Sequence, residues 1–81
     1  MEIHGYTKEE RGAEGLIPVA LAEITLVASP AELRHIAQFL ENCANGIEKY
    51  GKTWSHEHLS DQDKSFESSP HFIVYNPDQE L

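Results

Sequence analysis

Cysteine, basic side chains and long apolar runs are all scarce in this chain, and each scarcity excludes something. Cys43 is the only cysteine, so no intrachain disulfide can form and a disulfide scaffold is ruled out. It falls inside a helical apolar pattern, where a thiol is normally buried and inert. A nucleophilic cysteine needs an electropositive, accessible setting. No apolar run approaches the ~18 residues of a membrane span, and Met1-Glu2-Ile3-His4-Gly5 has neither the basic nor the apolar part of a secretory leader. The expected location is therefore cytoplasmic. Six Lys and Arg stand against fourteen Asp and Glu, a formal charge of −8. Such a surface repels phosphate backbones and anionic lipid, which argues against nucleic acid or a membrane as partner. It favours a basic protein partner. No glycine-rich phosphate loop is present either: Gly12 and Gly15 belong to neither a Gly-Lys-Ser/Thr nor a dinucleotide-binding pattern.

What the chain does contain is enough for one small α+β domain spanning residues 1–81. Hydrophobic residues make up 40% of its 81 positions, an ordinary globular share. Met1 to Tyr6 reads as an edge strand, followed by a charged turn over Thr7 to Gly15. Leu16 to Ala28 reads as a second strand, with Ala22, Ile24, Leu26 and Ala28 sharing one face. A hairpin joins the two most simply. Ser29-Pro30-Ala31-Glu32 is a helix start: Ser29 as N-cap, Pro30 at N1, and Glu32 reaching back to complete a capping box. Leu33, Ile36, Ala37, Leu40, Cys43, Ala44 and Ile47 then form one continuous stripe, with Phe39 and Tyr50 at its margins. Gly51 ends the helix. Lys52 to Pro70 reads as a polar loop pinned by Trp54, Leu59 and Phe66. His71 to Tyr75 is a compact strand, and Asp78 to Leu81 a frayed tail. A single helix with one apolar face needs a sheet to cover it. The expected fold is a two-layer sandwich, one long helix on a small three-stranded mixed sheet in the order β-β-α-β. Its open edges or uncovered face invite a homodimer.

Chemistry-bearing residues concentrate in Trp54-Ser55-His56-Glu57-His58-Leu59-Ser60-Asp61. In an extended chain His56 and His58 project to one side and Glu57 to the other. The zinc motif His-Glu-x-x-His needs its histidines one helical turn apart, and His-Glu-His does not provide that. A two-histidine metal site would need Asp61, His4 or His71 to complete it. Asp61, Asp63, Ser65 and Glu67 open like a calcium loop, but Phe66 and Phe72 occupy the positions that require glycine and glutamate. Ser55 beside His56 is adjacency, not a nucleophile–base pair. No catalytic residue, cofactor or metal is therefore expected. The two imidazoles either anchor the loop or meet a partner; a small homo-oligomeric metal-binding or sensory protein using His56 and His58 is the alternative.

The order of motifs adds a resemblance. Glu23-Ile24-Thr25-Leu26, Ala28-Ser29-Pro30-Ala31-Glu32-Leu33, the Trp54–Leu59 loop and Ile73-Val74-Tyr75-Asn76-Pro77 together resemble small bacterial immunity proteins of polymorphic toxin systems, the group numbered thirty-two. The resemblance runs from about Ile3 to Pro77. It implies a non-enzymatic protein that neutralises a cognate toxin by binding it, and it supplies no catalytic residues. A compact acidic domain can cover a basic cleft, and His56, Glu57, His58, Asp61 and Asp63 are the residues expected to meet the partner.

Overall fold

The computed structural model describes residues 1, 3–7 and 19–79. Its elements are β1 (His4–Gly5), β2 (Val19–Ala20), α1 (Pro30–Tyr50), β3 (His56–His58), α2 (Leu59–Gln62) and β4 (Ile73–Tyr75), with single 3-10 turns at Gly51–Thr53 and Lys64–Phe66.

The long helix starts as its sequence dictates. The Glu32 N–H donates to Ser29 Oγ at 3.2 Å and the Ser29 N–H donates to Glu32 Oε1 at 2.8 Å. Pro30 fills the first position, where a missing N–H loses nothing. That bonding holds the Glu32 carboxyl below its usual range. The helix ends at Gly51, whose φ of 57° lies in the left-handed region that glycine enters without penalty.

The buried line of the helix is rotated from the expected stripe. Ile36, Phe39 and Cys43 are buried, whereas Leu33 and Leu40 remain 46% and 44% exposed. Phe39, placed at the margin by periodicity, is the best-buried residue of the helix at 2% exposure. The cause is where the covering elements lie. Phe39 meets the Phe72 ring edge-on at 6.2 Å, and Leu59 and Phe66 complete the core with Trp54, Phe72 and Val74 packed against it. As expected, Trp54, Leu59 and Phe66 pin the segment after the helix to the domain.

That segment is not a loop, and it corrects the expected sheet. β3 arises within it and pairs antiparallel with β4, His56 opposite Tyr75, Glu57 opposite Val74 and His58 opposite Ile73. β1 and β2 form a separate antiparallel pair, His4 with Ala20 and Gly5 with Val19. The described residues thus carry two two-stranded sheets rather than one three-stranded mixed sheet, and β4 takes β3, not the second strand, as neighbour. The shorter connection wins. Closing Leu59–Phe72 into a ribbon restricts fewer residues than a crossover over the whole helix. α2 and the 3-10 turn fill that connection, and the Leu59 N–H donates to the Phe72 carbonyl at 2.9 Å. The hairpin from the first strand into the second is present but short. Of the expected strand Leu16 to Ala28, residues 23–28 carry no strand pairing, and Leu16 to Pro18 lie outside the described residues, as do residues 8–15 of the charged turn.

Asn76 fastens the ribbon to the helix end. It is the one buried polar residue among those described, 2% exposed. Its Nδ2 donates to the carbonyls of Gly51 (3.1 Å) and Trp54 (2.9 Å), and its Oδ1 accepts from the Asp78 N–H (3.0 Å). These bonds order the start of the tail that sequence marks as frayed: Gln79 also donates its N–H to the Asn76 carbonyl and accepts from Ser55 Oγ at 2.7 Å. Residues 80 and 81 lie outside the described residues.

Candidate protein-binding face

Alternation along β3 and β4 sorts the predicted site residues onto two faces. Ser55, Glu57, Leu59, Phe72, Val74 and Asn76 point toward the helix side. Glu57 lies close enough to Cys43 to add to the effect of burial, and together they push the thiol up from its ordinary value. An uncharged, buried thiol follows, which suits packing and not nucleophilic chemistry. His56, His58, His71, Ile73 and Tyr75 take the opposite, outward face.

On that face the rings touch in sequence. His56 stacks on Tyr75 with centroids 4.7 Å apart and planes 15° from parallel. His58 meets His56 edge-on at 5.5 Å and His71 at 6.3 Å. His56 and Tyr75 form a close cross-strand pair, the geometry in which aromatic side chains stabilise a ribbon. Ile73 and Tyr75 are 38% and 57% exposed. The extended geometry expected for His56 and His58 is therefore present, and Tyr75, Ile73 and His71 join them. The alternation of residues 71, 73 and 75 carried that signal, but only once β3 is known to be a strand.

A small bond network holds the His56 ring in place. Ser55 Oγ donates its one hydrogen to Gln79 Oε1, which can only accept. The same oxygen lies 2.9 Å from His56 Nδ1, so Ser55 ties the His56 ring to the start of the tail. The outward face thus offers an aromatic surface suited to cationic side chains.

The acidic residues of the next turn divide similarly. Asp61 is exposed on α2. Asp63 is half-buried and fully engaged: its Oδ1 accepts from the Ser65 hydroxyl (2.6 Å) and N–H (3.0 Å), and its Oδ2 lies 2.6 Å from His35 Nδ1. The Ser65 hydroxyl and then the His35 ring hold its carboxyl below the usual carboxylate range. A carboxyl lowered in the folded state stabilises the fold above its unfolded value, and that contribution vanishes as pH falls through the folded value. Asp63→Asn should therefore lower the melting temperature at pH 7 and flatten its decline between pH 5 and pH 2. An unchanged acid limb in thermal melts would show that this turn adds nothing. Among the described residues no three His, Cys, Asp or Glu side chains are gathered to hold a metal ion.

Comparison with known families now adds to this geometry. The family described as Immunity protein 32 matches residues 23–77. The chain belongs to the Immunity protein 32 family. The match includes α1, β3, α2 and β4, and so all five residues expected from sequence to meet a partner. It begins after β1 and β2, so the resemblance from Ile3 to Glu23's predecessors lies outside it. No curated protein and no solved structure matches the chain. Membership in an immunity family implies a protein partner, a toxin. Among the described residues no helix is long and apolar enough to cross a membrane.

Proposed function

We propose that this immunity protein neutralises its toxin by binding, without chemistry of its own, through the outward face of the β3–β4 ribbon. The observation that supports this most is the outward-facing run of rings His71–His58–His56–Tyr75, with His58 half-buried, on a ribbon whose other face is anchored by the core. Aromatic side chains on a rigid frame bring large contact area at little entropy cost, which is why they dominate protein interfaces. Asp61 is exposed on α2, which follows β3 directly. With a chain charge of −8, the fitting partner is a basic toxin surface whose Arg or Lys side chains stack on Tyr75. In this reading His56, His58 and Asp61 contact the toxin. Glu57, turned toward the helix, lies off this face, and Asp63, engaged by Ser65 and His35, holds its turn.

The test is co-expression with the toxin encoded beside it. A stable complex on purification and restored growth are expected, with the association rate falling as salt rises. Growth arrest that persists despite abundant folded protein would refute the immunity reading for that toxin.

A further inference from the structure

The ribbon's hydrogen-bonding register leaves one edge of β4 open. The Asn76 N–H donates to the Ser55 carbonyl and the Leu59 N–H to the Phe72 carbonyl. In an antiparallel pair bonded positions alternate, so residues 55, 57 and 59 bond inward to 76, 74 and 72. The backbone N–H and C=O of Ile73 and Tyr75 therefore point away from β3, and no residue among those described pairs with them. Beside this edge runs a groove of about 850 Å³ bounded by Ile24, Leu26, Ile36, Leu40 and Tyr75. Ile24, Leu26 and Leu40 are each about half exposed in it, at 50%, 50% and 44%.

We propose that a second copy of this chain occupies the edge, β4 pairing antiparallel with β4 across a two-fold axis at Val74. Two features select a copy over another occupant. First, the edge is self-complementary. With Val74 on the axis, Ile73 of one chain lies opposite Tyr75 of the other, and both present the outward-pointing groups that bond such a pair. Second, the edge is neutral where the molecule is not. Residues 68–77, between Glu67 and Asp78, carry no Asp, Glu, Lys or Arg, the longest such run in the chain. A chain of charge −8 repels its own copy over most of its surface, and this run is where two copies meet without like charges opposed. The product is a four-stranded sheet, β3-β4-β4-β3, with both copies of His56, His58 and Tyr75 on one side. Dimerisation through this edge does not rest on the toxin-binding reading.

The experiment is sedimentation equilibrium of the full chain across micromolar to millimolar concentration, alongside amide hydrogen exchange. The expected mass is that of two chains, with Ile73 and Tyr75 amides increasingly protected as concentration rises. Ile73→Pro removes an outward N–H without touching a β3–β4 bond. It should give a monomer of unchanged helical circular dichroism. Should that variant fail to fold, the concentration dependence of exchange in the unaltered chain decides alone. A monomer whose Ile73 and Tyr75 amides exchange freely overturns the proposal. So does a monomer with both amides protected at every concentration, which would assign the groove to the chain's own residues 24–28. Protection that appears only on adding toxin overturns it as well, in favour of a toxin strand.

Discussion

Asn76→Asp should destabilise the protein by about 3 kcal/mol at neutral pH, a figure that follows from leaving buried polar groups unsatisfied and adding a buried charge. The two side chains have nearly the same shape, so packing is not at issue. What changes is donation. Asn76 Nδ2 now serves the carbonyls of Gly51 and Trp54; a carboxylate oxygen in its place would face both of them with no hydrogen to offer. The bond from Asp78 N–H to the other oxygen survives and slightly offsets the loss. Burial against two carbonyls raises the folded pKa of the introduced carboxyl above its unfolded value of about 3.9. The sign follows from linkage. The destabilisation is greatest above the raised pKa and shrinks as pH falls through it, because the neutral acid can again donate one bond. Urea unfolding of both proteins at pH 7 and pH 5 checks this. A difference below about 1 kcal/mol, the worth of an ordinary hydrogen bond, or one that grows as pH falls, would show that Asn76 does not clamp the ribbon to the helix end.

Gly46→Ala should destabilise by about 2 kcal/mol, the usual range for forcing an extra group into a packed site, although helix propensity alone predicts a gain of about 1 kcal/mol. A Cβ at Gly46 would stand 2.5 Å from Trp54 Nε1 and 2.9 Å from its Cδ1. The indole is rigid and half-buried against the core, so it cannot fold aside like a flexible chain end. The glycine exists to let the Trp54 ring lie on the helix backbone. The two contributions separate in a double-mutant cycle. In a Trp54→Ala background the clash is gone, and Gly46→Ala should turn stabilising by about the propensity difference of 1 kcal/mol. The same sign in both backgrounds would contradict the contact. Both effects are large for a chain this small, whose whole stability is on the order of 5–10 kcal/mol.

Local chemistry was legible in the sequence wherever partners are close along the chain. The Ser29–Glu32 capping box, Pro30 at the helix start and Gly51 at its end are bonds within one turn, and all stand where periodicity and residue type put them. Trp54, Leu59 and Phe66 were identifiable as anchors because they are the large apolar residues in a polar stretch. What sequence did not show depends on pairing between distant segments. His56-Glu57-His58 has too few residues and too little β-branching to announce a strand; it becomes one because Ile73-Val74-Tyr75 lies opposite. The helix stripe was nearly right in position and wrong in rotation, since Phe39 is buried by Phe72, a contact no window along the helix contains. The same limit applied to the candidate face. His56 and His58 stood out by spacing, but Tyr75 enters only through the register of β3 on β4, and the approach of Glu57 to Cys43 and the bonds of Asp63 to His35 and Ser65 follow from the fold.

The most direct test of the account is the affinity of the cognate toxin for Tyr75→Ala, measured by titration calorimetry with thermal melts of the same preparations. Tyr75 is exposed, so its truncation should leave folding intact while removing the ring that stacks on His56. Binding weaker by tenfold or more, about 1.4 kcal/mol or above by the standard conversion, is expected, with a matching loss of growth rescue. Toxin affinity unchanged in a folded Tyr75→Ala protein would contradict it and move the interface off the ribbon's outward face.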